Sequence, residues 1–130
     1  GASDGEASRV APQGLAWSKW SPQAVAAGQA EGRPVVVDFT ATWCPTCNVI
    51  VKPAFENSAV QKKLVELKAV PLVADYSLRP KAIKEELQRF SRPGVPLVLI
   101  YPAKPGAAPM IFDWVSPSTL LEGLEQAVRP

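Results

Sequence analysis

Residues 34–41 read Pro-Val-Val-Val-Asp-Phe-Thr-Ala, a β-branched run without polar alternation. A strand wetted on one face alternates apolar and polar residues, so this run fits a strand covered on both faces. Such a strand belongs in the middle of a sheet with a layer packed on each side. Asp38 alone breaks the pattern. A buried carboxylate is costly unless it is paired or protonated, so its presence asks for a reason.

The rest of the chain supplies the covering layers. Leu15, Trp17 and Trp20 suggest a short edge strand, and Ser21-Pro22 combines a capping side chain with a proline at the first helical position. The Ala-rich segment 22–30 follows as a helix that Gly32 ends. After the buried strand, Val49, Ile50 and Val51 continue a helix that Pro53 should kink or interrupt, and Asn57 or Ser58 caps a further turn or two. Residues 69–75 predict a second apolar strand, although Pro71 cannot donate to a ladder. Pro80 opens an amphipathic helix with Ile83, Leu87 and Phe90 on one face. Residues 97–101 form a strand, the Pro- and Gly-rich segment 102–109 a turn, and 110–115 an antiparallel return. Ser116-Pro117 repeats the cap for a final helix carrying Leu120, Leu121, Leu124 and Val128.

Strands alternating with helices predict an α/β fold with a mostly parallel central sheet and an antiparallel hairpin at its C-terminal edge. The chain has 130 residues, 47% of them hydrophobic. That suits a flexible leader over residues 1–14 and one domain over 15–130.

Composition excludes several chemistries. Histidine is absent, which removes Ser-His-Asp and Cys-His mechanisms and the commonest zinc ligand. Two cysteines cannot close a tetrahedral thiolate site within one chain, so no metal is expected. The net charge is +2 with no basic block, giving little support to a nucleic-acid partner. No segment approaches the roughly 20 apolar residues of a membrane span.

Cys44-Pro45-Thr46-Cys47 is the sharpest chemical signal. Two thiols three positions apart at a helix start can close a small disulfide ring and reopen it. The helix dipole and unpaired amides favour the first thiolate. Cys44 is then the nucleophile and Cys47 the resolving thiol of a mixed disulfide. A structural pair or a zinc site shared between chains are the alternatives, but placement after a buried strand matches the redox context. Asp38, six residues before Cys44, reads as a proton carrier for Cys47 with a pKa raised by desolvation. Its alternative is an aspartate bonded to backbone amides at a strand end. Val95-Pro96 precedes a strand. On its residues alone an ordinary trans bond is favoured, whereas a cis bond would open the Val95 backbone to an extended partner. Trp43 and Thr42 flank the disulfide, and Trp43 either grips a partner or packs half-buried. Trp17, Trp20 and Trp114 read as core or edge packing, and Lys62-Lys63 as a solvated helix face. Asp75 and Tyr76 have no assigned chemistry.

VVVDFTATWCPTC, followed about fifty residues later by GVPLVLIY, resembles the thioredoxin fold and its active site over residues 33–128. The resemblance implies a buried proton carrier at Asp38 and a cis proline at Pro96 facing the disulfide. The segments GLAWSKWSPQAVAAGQAEGRP, AFENSAVQKKL, ADYS and FSRPGVPLVLIY are further similar to the C-terminal domain of DsbD-type thiol:disulfide interchange proteins, including the copper-sensitivity-suppressor group. That family implies a periplasmic domain, joined to a membrane-embedded domain that relays electrons and passing them to a periplasmic acceptor domain. Its partners carry disulfides or CxxC pairs, it acts as a monomer in this portion, and it needs no cofactor beyond the Cys44–Cys47 disulfide. Trp43, Pro45, Thr46, Val95 and Pro96 would line the partner site.

Three departures stand out. Val51 replaces a glutamate found in members with well-developed active-site tuning, so their elevated nucleophile pKa is not expected in full. Pro71 stands near the position of the buried lysine of ordinary thioredoxins, and Pro45-Thr46 differs from their Gly-Pro. A free-standing periplasmic reductase or oxidase, for example in cytochrome c maturation, and a non-catalytic binding module of the same fold stay open as alternatives.

Overall fold

A computed structural model describes residues 9–130. The elements are β1 (Ser18–Lys19), α1 (Pro22–Ala30), β2 (Val35–Thr40), a π-helical turn (Cys47–Val51) running into α2 (Lys52–Glu56), α3 (Ser58–Glu66), β3 (Val70–Asp75), α4 (Lys81–Arg89), β4 (Leu97–Tyr101), β5 (Met110–Phe112) and α5 (Pro117–Ala127). The five strands form one sheet in the order β1-β3-β2-β4-β5. β1 and β2 run parallel to β3, and β4 runs antiparallel to both β2 and β5. The sheet is mixed as expected, and the change of direction falls between β2 and β4, the first strand of the closing hairpin.

Every residue of β2 is buried, as a strand flanked by two strands and covered on two faces requires. Its alternate side chains enter different layers. Val35, Val37 and Phe39 pack with Val25, Leu72, Ile83, Leu87, Leu97 and Leu99, on the side of α1 and α4. Val36 packs with Val51, Phe55, Leu64, Val98, Leu120 and Leu124, on the side of α2, α3 and α5. By the same period of two, Asp38 shares the face of Val36.

Local signals explain the helix ends. Ser21 Oγ accepts from Ala24 N at 3.0 Å, Asn57 Oδ1 from Ala59 N at 2.9 Å, and Ser116 Oγ from Thr119 N at 3.2 Å. The expected interruption at Pro53 takes the form of the π-helical turn. Proline has no N–H for the Val49 carbonyl and its ring crowds that group, so the backbone widens and Lys52 N donates to Cys47 O. Pro71 is tolerated in β3 because Val70 N already points to β2, at Pro34 O. Pro71 therefore faces the other side, where β1 reaches only Leu72 and Val73.

Three expectations need correction. The leader assigned to 1–14 falls partly outside the described residues, but within 9–14 Val10 and Ala11 are buried against the core and Gln13 N donates to Glu56 Oε2 at 2.8 Å. The final strand stops at Phe112 instead of 115, because Asp113 turns away to Arg92. Trp114 then projects into solvent, 60% exposed, whereas Trp17 and Trp20 are buried as expected.

Gly28 brings α1 close against the sheet. A Cβ there would lie 2.6 Å from Val35 Cγ2 and 3.0 Å from Val70 Cγ2, both stiff β-branched side chains. Helix propensity alone favours alanine by about 1 kcal/mol. The overpacking outweighs it, so Gly28→Ala is expected to lower stability by about 1 kcal/mol or more in urea unfolding.

Candidate active site

The segment leaving the carboxyl end of β2 carries Cys44 and Cys47, which are joined as a disulfide with their Cα atoms 5.3 Å apart. Both are buried, Cys47 more deeply than Cys44 at 1% against 5% exposure. Cys47 N donates to Cys44 Sγ at 3.2 Å. That amide would stabilise negative charge on Cys44 once the bond is reduced. Pro45 and Thr46, between them, are exposed.

Asp38 lies inside β2 at 1% exposure, and its Oδ1 has no hydrogen-bond partner. The alternative of a carboxylate held by backbone amides therefore does not describe it. Burial pushes its pKa up to about 7, and the Lys52 ammonium, at the start of α2, opposes part of that rise. Lys52 is a contributor that the sequence reading did not single out. Its place in the sequence, five residues after Cys47, carried no signal of this influence.

Val95-Pro96 is cis, the conformation implied by the family resemblance and not the trans bond favoured by the residues alone. The loop before it is tied down by Arg92, whose Nε and Nη2 reach Asp113 Oδ1 and Oδ2 at 2.6 and 3.1 Å. Arg92 Nη1 also donates to Phe90 O at 2.7 Å. Trp43, Val95 and Pro96 line one open groove of about 480 Å³. Trp43 is 44% exposed, and Pro45 and Thr46 do not line that groove.

A second loop locks the disulfide segment in place. Asp75 Oδ1 accepts from Ser77 N at 2.9 Å and from Ser77 Oγ at 2.5 Å. Ser77 Oγ in turn accepts from Thr42 N at 2.9 Å, and Ser77 O accepts from Trp43 Nε1 at 2.9 Å. Asn48 Nδ2 closes the other side, donating to Thr42 O at 3.2 Å and Cys44 O at 2.9 Å. Asp-x-Ser at a strand end is a recognisable Asx turn, so this role for Asp75 and Ser77 had a local signal. The partner across the loop did not.

The sequence model of the family described as Thioredoxin-like matches residues 16–103. The chain belongs to the thioredoxin-like family. Among curated proteins it is 32% identical over 107 residues to the thiol:disulfide interchange protein DsbD of Ralstonia nicotianae, covering 82% of this chain and 17% of that protein. It is 30% identical over 111 residues to DsbD of Yersinia enterocolitica, covering 83% of this chain and 19% of that one. The chain thus spans less than a fifth of the length of these relatives. Among solved structures, a thioredoxin from Thermus thermophilus superposes with a TM-score of 0.61 at 27% identity, over 85% of this chain and 84% of that one. The reduced C-terminal domain of Neisseria meningitidis DsbD superposes with a TM-score of 0.60 at 20% identity, over 81% and 91%, a likeness of fold. The chain thus combines thioredoxin-like membership with a close cysteine pair, and both of these curated relatives are named thiol:disulfide interchange proteins. Among the described residues no His, Cys, Asp and Glu cluster could hold a metal ion, and no helix is long and apolar enough to cross a membrane.

The buried carboxyl gives the oxidised protein a defined pH dependence. An unfolded Asp38 titrates near its ordinary 3.8 and the folded one near 7, so between these values the folded state holds the extra proton. The contribution of Asp38 to stability is therefore greatest below about pH 4 and falls as pH rises toward 7, by on the order of 4 kcal/mol. Asp38→Asn should flatten that decline in denaturant melts of the oxidised protein across this range.

Proposed function

We propose that this chain is the reducing, C-terminal-type domain of a DsbD-like electron relay, working in the periplasm. Electrons reach Cys44–Cys47 from a membrane-embedded domain and leave to a periplasmic acceptor domain bearing a disulfide or CxxC pair. The observation that carries this reading is the burial of three groups of matching chemistry at and after β2: the Cys44–Cys47 disulfide, with Cys47 the more buried cysteine, and Asp38, buried inside the strand with its Oδ1 unpartnered. The identity with DsbD across most of the chain supports the relay role.

In this mechanism the Cys44 thiolate attacks one sulfur of the partner disulfide, and the partner's other sulfur leaves as a thiolate that takes a proton. Cys47 then gives its proton to the Asp38 carboxylate, and the new thiolate attacks Cys44 Sγ. The mixed disulfide breaks, the partner's second sulfur departs reduced, and the Cys44–Cys47 bond forms. Two electrons pass to the partner, and this domain is left oxidised. A pKa near 7 suits Asp38 to hold and release that proton near neutrality. Trp43 and the exposed apolar side chains Val49 and Ile50, within a turn of Cys47, provide the surface on which a protein partner docks. Val95, at the cis bond, lines the groove together with Trp43.

The equilibrium potential of the Cys44–Cys47 pair against a defined thiol buffer tests the direction of flow. A value near or below roughly −270 mV is expected, and one approaching roughly −120 mV would mean an oxidant and refute the relay role. Cys44→Ser should abolish reduction of a partner disulfide while Cys47→Ser traps the mixed disulfide. Asp38→Asn should slow resolution and lower the pH at which the Cys44 thiolate forms. An unchanged thiolate titration would exclude Asp38 as the proton carrier.

A further inference from the structure

The groove beside the disulfide contains two guanidinium groups with different charge environments. Arg92 is neutralised by its two-pronged pair with Asp113. Arg79 has no ion-pair partner among the described residues. The carboxylate two positions from Ser77, that of Asp75, is occupied by the Ser77 amide and hydroxyl. Arg79 is nevertheless held in place: its guanidinium carbon lies 4.3 Å from the centre of the Trp43 ring.

Stacking uses the face of a guanidinium and leaves its N–H edge free, and that edge matches a carboxylate in two-pronged fashion. The platform is itself fixed, since Trp43 Nε1 donates to Ser77 O and the ring leans on Tyr76 with centroids 6.4 Å apart. The Arg79 backbone has φ +52°, a left-handed conformation that glycine adopts at lower cost. The other non-glycine residues with positive φ, Lys68 and Ser91, follow helix ends, where this conformation is common. Arg79 instead lies in the turn that enters α4, so helix termination does not account for it.

We propose that Arg79 is a specificity-determining residue that favours partners carrying an aspartate or glutamate next to the disulfide they exchange. This rests on the oxidoreductase reading above and adds the chemistry of the partner segment. An extended segment lying along Val95 and Pro96, with its cysteine at Cys44, passes over Trp43, where the acidic side chain meets the ordered guanidinium. Little ordering remains to be done on binding, so the contact acts on selection more than a mobile surface lysine would. Because the site is open to water, the preference weakens as salt rises.

The test uses the reduced full chain and short disulfide-closed peptides that are identical except for Glu, Gln or Lys beside one cysteine. The readout is the ratio of the second-order rate constant for oxidation of the reduced chain by the Glu and Lys peptides to that for the Gln peptide, at low and high salt. The intact chain should favour Glu over Gln by roughly fivefold at low salt. Arg79→Ala should bring the ratio close to one, Arg79→Glu should invert it toward Lys, and Arg79→Lys should retain part of it. A folding defect lowers all three rates together and leaves the ratios unchanged, so it cannot imitate inversion. Reduction of all peptides without charge preference, or a preference that survives Arg79→Ala, overturns this inference alone. No reduction even of the Gln peptide by the intact chain overturns the oxidoreductase reading and this inference with it.

Discussion

Strand β2 has neighbours on both edges and a packed layer on both faces, and the site is assembled from what that enclosure does to two of its features. Its interior carries one buried carboxyl group, and burial raises the pKa of that group toward neutrality. Its carboxyl end delivers the cysteine segment to the surface. Both depend on pairing register. A slip by one residue would move Asp38 to the α1 and α4 face and put Val37 or Phe39 where the π-helical turn and α2 now pack. The stiffness of the Val35–Phe39 packing is therefore a condition for the chemistry.

Around this fixed strand, the mouth of the site is held by polar clamps. Ser77 reaches across to the Thr42 amide and the Trp43 indole, Asn48 holds two carbonyls of the cysteine segment, and Arg92 ties the loop before Pro96 to Asp113. The Ser77 and Arg92 contacts join different loops, and the Asn48 contacts tie the cysteine segment to itself. Such contacts preserve geometry where the chain has left the sheet and has no ladder to hold it. They allow a groove to be open to water while its lining residues keep defined positions.

Most of the layer structure could be read before any coordinates, because it rests on local rules. Ser21, Asn57 and Ser116 cap the helices they precede, and the unbroken apolar run of β2 announces burial on both faces. Asp38 and the cysteine pair were conspicuous for their chemistry alone. What escaped depends on distant partners. Trp114 looks like a core residue until Asp113 is drawn to Arg92, and Val10 and Ala11 look like leader until a hydrophobic surface is available to cover them. The π-helical turn follows from Pro53, but the resulting influence of Lys52 on Asp38 requires the turn's actual geometry. The cis bond at Pro96 is invisible to local residue preferences and was indicated only by family likeness.

The two cysteines are three positions apart, and this has a consequence for folding. A crosslink stabilises a protein chiefly by limiting the freedom of the unfolded chain, and a ring this small limits it little. The loop-entropy relation gives about 2 kcal/mol here, against roughly 4.7 for a loop of 100 residues. The buried layers on either side of the sheet therefore carry the fold in both redox states. Opening the ring withdraws only that smaller share of the stability, and the rest lies in the packed layers.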